Sequence, residues 1–171
     1  VGHPRFEEIS KKKNDSSSER IIIIDQPIKK YYGNTLGFDE IQILEELSYF
    51  DQDNLFYLKH PDNDLIALPD NIKEAKLNML GDAKCIMGIF SSLLVESFLK
   101  GIPTLSYQPN KSEHILFPLS RLGYVKSTND INMVKNFFND PCSYKIKSGN
   151  NFMRSLHGST DKIIEILEES L

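Results

Sequence analysis

One stretch of the sequence constrains the fold more than any other, because it contains a strand, a helix and a second strand in close succession. Residues 84–87 form a short apolar run that is typical of a buried strand, and Gly88 permits a sharp exit from it. After one short helix, residues 104–107 form a second strand-like run. Strands that alternate with helices in this way predict a mainly parallel sheet.

The helix inside this stretch carries a chemical signal at its start. Ser91 or Ser92 is a good N-cap, and Gly101 ends the helix. Two hydroxyls beside the backbone N–H groups of a buried helix start form a natural phosphate site. Capping alone is the simpler alternative, because serine is common at this position. The apolar positions that predict burial of the helix are Leu93, Leu94, Val95, Phe98 and Leu99.

The rest of the chain continues the alternation of strand and helix. The runs at 21–24 and 55–58 predict two further strands. The remaining predictions are helices over 38–50, 72–80 and 130–139, a short helix over 113–122 interrupted by Pro118, an edge strand at 123–125 and a final helix capped by Ser159. The predicted fold class is α/β, with a Rossmann-like, mainly parallel sheet and helices on both faces.

Composition limits the classes of function. The 171 residues are enough for one domain with a substantial core, and we predict a single domain over residues 1–171. The net charge of −4 argues against a general nucleic-acid binder, which needs a basic surface. Cys85 and Cys142 lack a metal-binding spacing, and a reduced thiol within an apolar strand favours the cytoplasm. No run approaches the roughly 20 apolar residues of a membrane span.

Polar residues follow the predicted strands at positions suited to a ligand. His60 comes just after the strand at 55–58 and precedes Pro61, which stiffens the turn. In an open α/β sheet the loops after the strands line the ligand crevice, so His60 and the helix start at 91–92 lie on the same side. Gln26, which follows the strand at 21–24, is a further candidate contact. An imidazole N–H and two hydroxyls suit an anionic phosphate.

Glu96 extends this candidate site along the helix. It lies one turn beyond Ser92 on the same face, where its carboxylate suits the hydroxyls of a ribose. The simpler alternatives are a solvent-facing Glu96 and a bond from His60 to a backbone carbonyl. The glycine fingerprints of dinucleotide-binding and P-loop proteins are absent, as is the G-x-S-x-G pattern of hydrolases.

Two short motifs carry a family resemblance. Lys59-His60-Pro61, followed by Phe90-Ser91-Ser92, resembles the His-Pro and Ser-Ser motifs of bacterial sialyltransferases and polysialyltransferases. These are two-domain glycosyltransferases of the GT-B type that use CMP-sialic acid. CDP-glycerol glycerophosphotransferases and Kdo-transferring capsule enzymes look similar in the same two places. The run at 91–103, which includes Glu96, is also similar to the nucleotide-sugar helix of other GT-B enzymes.

The resemblance implies roles for individual residues. It implies that His60, Ser91 and Ser92 bind the nucleotide phosphate and that Glu96 holds the ribose. Gly88 and Gln26 are assigned to the same nucleotide site because of their positions at the ends of predicted strands. It also implies that His60 is catalytic, because it stabilises the departing CMP phosphate. In these enzymes the acidic catalytic base belongs to the N-terminal domain. The chain is therefore expected to be the C-terminal half of a GT-B fold, a fragment of a longer enzyme that is inactive alone.

The function implied is transfer of sialic acid or a related sugar from a CMP-activated donor, in bacterial surface polysaccharide, capsule or lipooligosaccharide synthesis. The expected ligands are the nucleotide-sugar donor and a glycan acceptor bound through the other domain, with no cofactor, metal or nucleic acid. The expected location is cytoplasmic, with peripheral attachment of the parent enzyme to the inner face of the membrane as one arrangement. The alternatives are a UDP-sugar transferase, a UDP-sugar 2-epimerase domain and a non-catalytic binding module on the same fold.

Overall fold

Six parallel strands form one sheet in the computed structural model, which describes residues 18–63, 66–109 and 115–144. Their spatial order is β3-β2-β1-β4-β5-β6, and every neighbouring pair is parallel. This order is that of the Rossmann doubly wound fold, so the predicted fold class is confirmed. In chain order the strands are β1 (Ile21–Ile24), β2 (Leu55–Leu58), β3 (Ile72–Glu74), β4 (Cys85–Gly88), β5 (Thr104–Tyr107) and β6 (Lys126–Thr128).

Helices cover both faces of this sheet. The α-helices of the described ranges are α1 (Ile28–Tyr32), α2 (Glu40–Ser48), α3 (Ser92–Leu99), α4 (Pro118–Arg121) and α5 (Ile131–Asn139). Short 3₁₀ turns lie at Pro61–Asn63, Leu77–Asp82 and Pro141–Tyr144. Buried side chains of α1, α2 and α5 belong to one core, while α3 and α4 contribute to the core on the other face. No helix in the described ranges is long and apolar enough to cross a membrane.

Strand β1 shows why the sheet is covered on both faces. Ile21 and Ile23 pack into the first core, and Ile22 and Ile24 pack into the second. Successive side chains of a strand point to opposite faces of the sheet, and both faces are covered here, so all four isoleucines are buried. A continuous β-branched run is thus the pattern expected of a central parallel strand.

The predicted helix over residues 72–80 is wrong, because residues 72–74 form β3 and only residues 77–80 belong to a 3₁₀ turn. Ile72 is buried and pairs with Leu55, so this segment adds β3 to the edge of the sheet. Lys73 and Glu74 are exposed, as suits an edge strand. Pairing with β2 thus outweighs the weak helical pattern of the segment.

The predictions for residues 113–139 need smaller corrections. Pro118 does not interrupt a helix but begins α4, because its missing N–H costs nothing at the first helical position. The edge strand begins at Lys126 instead of 123, since the N–H groups of Tyr124 and Val125 bond to Leu119 O in a turn. The helix at 130–139 is confirmed with Asp130 as its N-cap. The final helix from Ser159 and the start of the helix at 113 lie outside the described residues.

Gly88 is needed for packing and not for a turn. It is the last residue of β4, it pairs with Ser106, and its φ is not positive. A Cβ at this position would lie 3.3 Å from Ile24 Cβ and 3.3 Å from both Cδ atoms of Leu94. The glycine therefore allows α3 to lie directly against the centre of the sheet. Gly101, by contrast, has φ +76° and ends α3 as predicted.

Substitution of Gly88 by valine should destabilise the protein by about 1–3 kcal/mol, because the added carbons overpack the contact with Ile24 and Leu94. The measurement is the free energy of unfolding in urea. Gly81→Val is the matched control, since no atom lies within 4 Å of a Cβ built there. We expect the control to change stability by less than about 0.5 kcal/mol. Equal effects at the two positions would contradict the packing role of Gly88.

The two cysteines should differ sharply in reactivity. Burial raises the pKa of the Cys85 thiol from 9.0 to about 12, whereas Cys142 is exposed. At pH 8 we expect Ellman's reagent to modify one thiol in the native protein and none in Cys142→Ser, with Cys85 reacting only after unfolding. Rapid modification of Cys85 in the native protein would contradict its burial.

The raised pKa of Cys85 should also make stability depend on pH. Because the thiol of the unfolded chain ionises first, the free energy of unfolding should fall as pH rises from about 9 to about 12.

Candidate functional site

The order of the strands defines a crevice at the carboxyl edge of the sheet. The chain moves outward from β1 through β2 to β3, and then returns to place β4 on the other side of β1. The loops after β1 and β4 therefore diverge at this switch point, where open α/β sheets bind their ligands. Gln26 follows β1, and Ser91 follows β4. Both candidate residues thus belong to the loops of the switch point.

Gln26 links these two loops. Its side-chain Oε1 accepts a hydrogen bond from the backbone N–H of Phe90 at 3.1 Å. Its backbone carbonyl accepts from the N–H of Ile28 at 2.7 Å, at the start of α1. Gln26 therefore fixes the loop that leads into α3, in addition to lying at the predicted edge.

Ser91 is the N-cap of α3. Its backbone is extended, and its Oγ accepts from the N–H of Leu93 at 3.2 Å. The capping function is therefore present, while the hydroxyl hydrogen can still be donated. Ser92 is the first helical residue and is exposed. Its N–H has no acceptor inside the helix, as at every helix start. This end of α3 thus offers donors to an anion.

His60 lies two residues beyond β2, at the same edge of the sheet. Its Nδ1 accepts from the N–H of Asp62 at 3.1 Å, so the neutral ring carries its proton on Nε2. Its side chain is 39% exposed. The ring nitrogen therefore accepts from an N–H group instead of donating to a carbonyl, contrary to the simpler alternative considered above. The Nε2–H group is a donor on the solvent-accessible side chain.

The structure brings the candidate residues to one edge but not into one contact. Strand β1 lies between β2 and β4, so the loops of His60 and Ser91 are separated by about 10 Å, twice the usual spacing of strands. No hydrogen bond joins His60 to Ser91 or Ser92 in the part of the chain that is described. Glu96 lies one turn along α3 and is half-buried. A ligand that contacts both loops must therefore extend across the end of β1.

Asp25, which the sequence analysis did not identify, organises the loop that carries His60. Its carboxylate is 3% exposed and accepts from the hydroxyl of Tyr57 at 2.6 Å. It also accepts from the N–H of His60 at 3.0 Å and from Asn63 Nδ2 at 3.0 and 3.2 Å. In the sequence, only the position of Asp25 immediately after a predicted buried strand could have indicated this role. Asp25 thus joins β1 to the segment that follows β2.

Glu40 forms a second buried acceptor beside Asp25. It is 6% exposed and accepts from the N–H of Lys29 at 3.0 Å and from Asn63 Nδ2 at 3.3 Å. The amide of Asn63 therefore bridges the two carboxylates, and Glu40 holds the first turn of α1. Neither Asp25 nor Glu40 pairs with a cationic side chain in the described ranges. Neutral donors satisfy these buried carboxylates instead.

Three tyrosines donate to carboxylates around this edge. Burial, followed by the charge of Asp25, raises the pKa of Tyr57 far above its usual value. The hydrogen bond to Asp62 raises the pKa of Tyr31, and the same bond lowers the pKa of Asp62. Tyr107 donates to Glu46, and burial is the main cause of its raised pKa. All three hydroxyls are therefore protonated donors near neutral pH.

Cavities and metal ligands add little to the definition of the site. A narrow cavity beneath the crevice is lined by residues that include Gln26, Gly88 and Tyr107. A wider groove on α2, which includes Asn34 and Gln42, shares no residue with the predicted site. Within the described ranges, no three His, Cys, Asp or Glu side chains converge as a metal site. Among the described residues, the candidate site therefore lies along the open edge of the sheet.

Removal of the Asp25 carboxylate should be the most destabilising change at this edge. Asp25→Ala removes the acceptor of the Tyr57 hydroxyl and of the His60 N–H and leaves Asn63 only its bond to Glu40, so we expect a loss of about 3 kcal/mol in the free energy of unfolding. Tyr57→Phe removes one bond and should cost about 1 kcal/mol. Asp53→Ala, at an exposed aspartate, is the control and should be near neutral. If Asp25→Ala costs no more than Asp53→Ala in urea unfolding, the organising role is wrong.

No protein-family model matches the chain, and no curated protein matches it. The Rossmann-like parallel sheet is established by the order and direction of its strands. The ligand of its carboxyl edge is inferred from the chemistry of the residues there.

Proposed function

We propose that this chain is the donor-nucleotide-binding domain of a GT-B glycosyltransferase that transfers sialic acid or a related sugar from a CMP-activated donor. The observation that supports the proposal best is the placement of His60 and Ser91–Ser92 on either side of β1 at the switch point. The family resemblance assigns both positions to the nucleotide phosphate. The proposal therefore combines a ligand edge that the fold provides with a residue assignment that the resemblance implies.

In this proposal α3 receives the phosphate of the donor. The N–H of Ser92 and the hydroxyls of Ser91 and Ser92 donate hydrogen bonds, and the helix dipole favours the negative charge. Gln26 supports this end of the site through its bond to Phe90, and Gly88 lets α3 approach the sheet. Glu96 accepts from the ribose hydroxyls one turn further along the helix. These roles depend on the position of the start of α3, which the Gln26–Phe90 bond and the packing at Gly88 hold in place.

His60 stabilises the leaving group in the proposed reaction. The bond between the anomeric carbon of the sugar and the phosphate oxygen breaks while the acceptor hydroxyl attacks that carbon. Negative charge develops on the CMP phosphate, and the Nε2–H of His60 donates to it. The proton of the acceptor passes to a base in another part of the enzyme. Asp25 holds the backbone of His60, and Asp62 holds its ring.

Titration of the chain with CMP, CDP and UDP tests this function. Since only one half of the proposed site is present, we expect CMP to bind with a Kd on the order of 0.1–1 mM. His60→Ala should weaken CMP binding by about tenfold or more, because a hydrogen bond to a charged phosphate is lost. Calorimetry measures the wild type, and NMR chemical-shift titration measures the weaker variant.

Lys84→Ala is the control for loss of a basic side chain, because Lys84 precedes β4 at the opposite edge of the sheet. It should leave the Kd for CMP unchanged. A clear preference for UDP over CMP would favour a UDP-sugar transferase or 2-epimerase. Failure of all three nucleotides to bind would favour a non-catalytic binding module. Equal losses in His60→Ala and Lys84→Ala would overturn the phosphate role of His60.

A further inference from the structure

The short helix α1 lies across the crevice between the two halves of the proposed site. The ring of Tyr31 meets the ring of His60 edge to face, with 6.5 Å between their centroids. The next residue, Tyr32, makes the same kind of contact with Phe90 at 5.8 Å. Two adjacent tyrosines thus connect the loop after β2 with the loop after β4.

The position of α1 is fixed by bonds at both the helix start and the tyrosine side. Glu40 accepts from the N–H of Lys29, as described above. The hydroxyl of Tyr31 donates to the carboxylate of Asp62, and Lys30 Nζ donates to the carbonyl of Asp62 at 3.4 Å. Lys30 also lies 5.8 Å from the centroid of the Tyr31 ring. Tyr31 therefore binds the loop that carries His60 through both its hydroxyl and its ring.

Tyr32 has a different environment. The residue is 42% exposed, although its ring rests against Phe90. Phe90 directly precedes Ser91, and its N–H is held by Gln26. A perpendicular contact uses the edge of one ring, so part of the aromatic surface beside the start of α3 stays open to a flat ligand group.

We infer that Tyr32, supported by Phe90, is the stacking surface for the base of the bound nucleotide. This inference rests on the proposed function, because it takes the phosphate to lie at the start of α3. A nucleotide held there by its phosphate has its ribose and base beside the loop of Phe90. Aromatic side chains stack on bases of every type, since each base has a π-face. Tyr31, by contrast, positions the ring of His60.

The test compares CMP with ribose 5-phosphate, which has the sugar and the phosphate but no base. We expect the wild type to bind CMP more tightly than ribose 5-phosphate. Tyr32→Leu should weaken CMP binding about tenfold and leave the affinity for ribose 5-phosphate unchanged. Tyr32→Phe keeps the ring and should retain the affinity for CMP. NMR chemical-shift titration measures both ligands, and thermal unfolding shows whether each variant is folded.

Tyr49→Leu is the matched control. Tyr49 is 87% exposed and follows the last turn of α2, at the opposite edge of the sheet. Loss of its ring should therefore leave the binding of both CMP and ribose 5-phosphate unchanged. If CMP binding depends on His60 but not on Tyr32, the stacking inference is wrong and the proposed function stands. Equal weakening of both ligands by Tyr32→Leu would also overturn base stacking. Absence of binding of either ligand to the wild type would overturn the inference together with the proposed function.

Discussion

The buried carboxylate of Asp25 is the contact on which the geometry of the edge depends. It sits where β1 ends, and its oxygens hold the hydroxyl of Tyr57, the backbone of His60 and the amide of Asn63. The same amide reaches Glu40, which holds the start of α1. A single acidic residue at the centre of the sheet therefore determines the positions of a candidate catalytic residue and of the helix beside it. Removal of this carboxylate would leave the Tyr57 hydroxyl and the His60 N–H without their acceptor at once.

Much of the fold could be predicted from local patterns because its central strands are buried on both faces. The isoleucines of β1 and the residues of β4 form apolar runs that few other arrangements tolerate. The pattern failed at the edge of the sheet, where only one residue of β3 is buried and the pairing with Leu55 decides the structure. Gly88 was also predicted for the wrong reason, since its small size serves the packing of α3 against Ile24.

Only part of the candidate site could be predicted from the sequence. His60, Ser91 and Gln26 follow strands directly, so a parallel sheet brings them to one edge. The buried acceptors could not be predicted, because Asp25 bonds to Tyr57, Asn63 and the His60 backbone across 32 to 38 residues of chain. Nothing in the local pattern of Asp25 distinguishes it from a solvated aspartate that ends a strand. Such a role becomes visible only when the strands are paired.

The α1 helix is informative because its two tyrosines remain exposed although both contact the loops of the predicted site. Of its five residues only Ile28 is buried. Both rings nevertheless lie against the predicted site, one beside His60 and the other beside Phe90. Exposed aromatic surface next to hydrogen-bond donors for a phosphate is what a nucleotide needs, because its two ends differ in chemistry. In the proposed site, the loops after β2 and β4 would supply the donors, and α1 would supply the aromatic face.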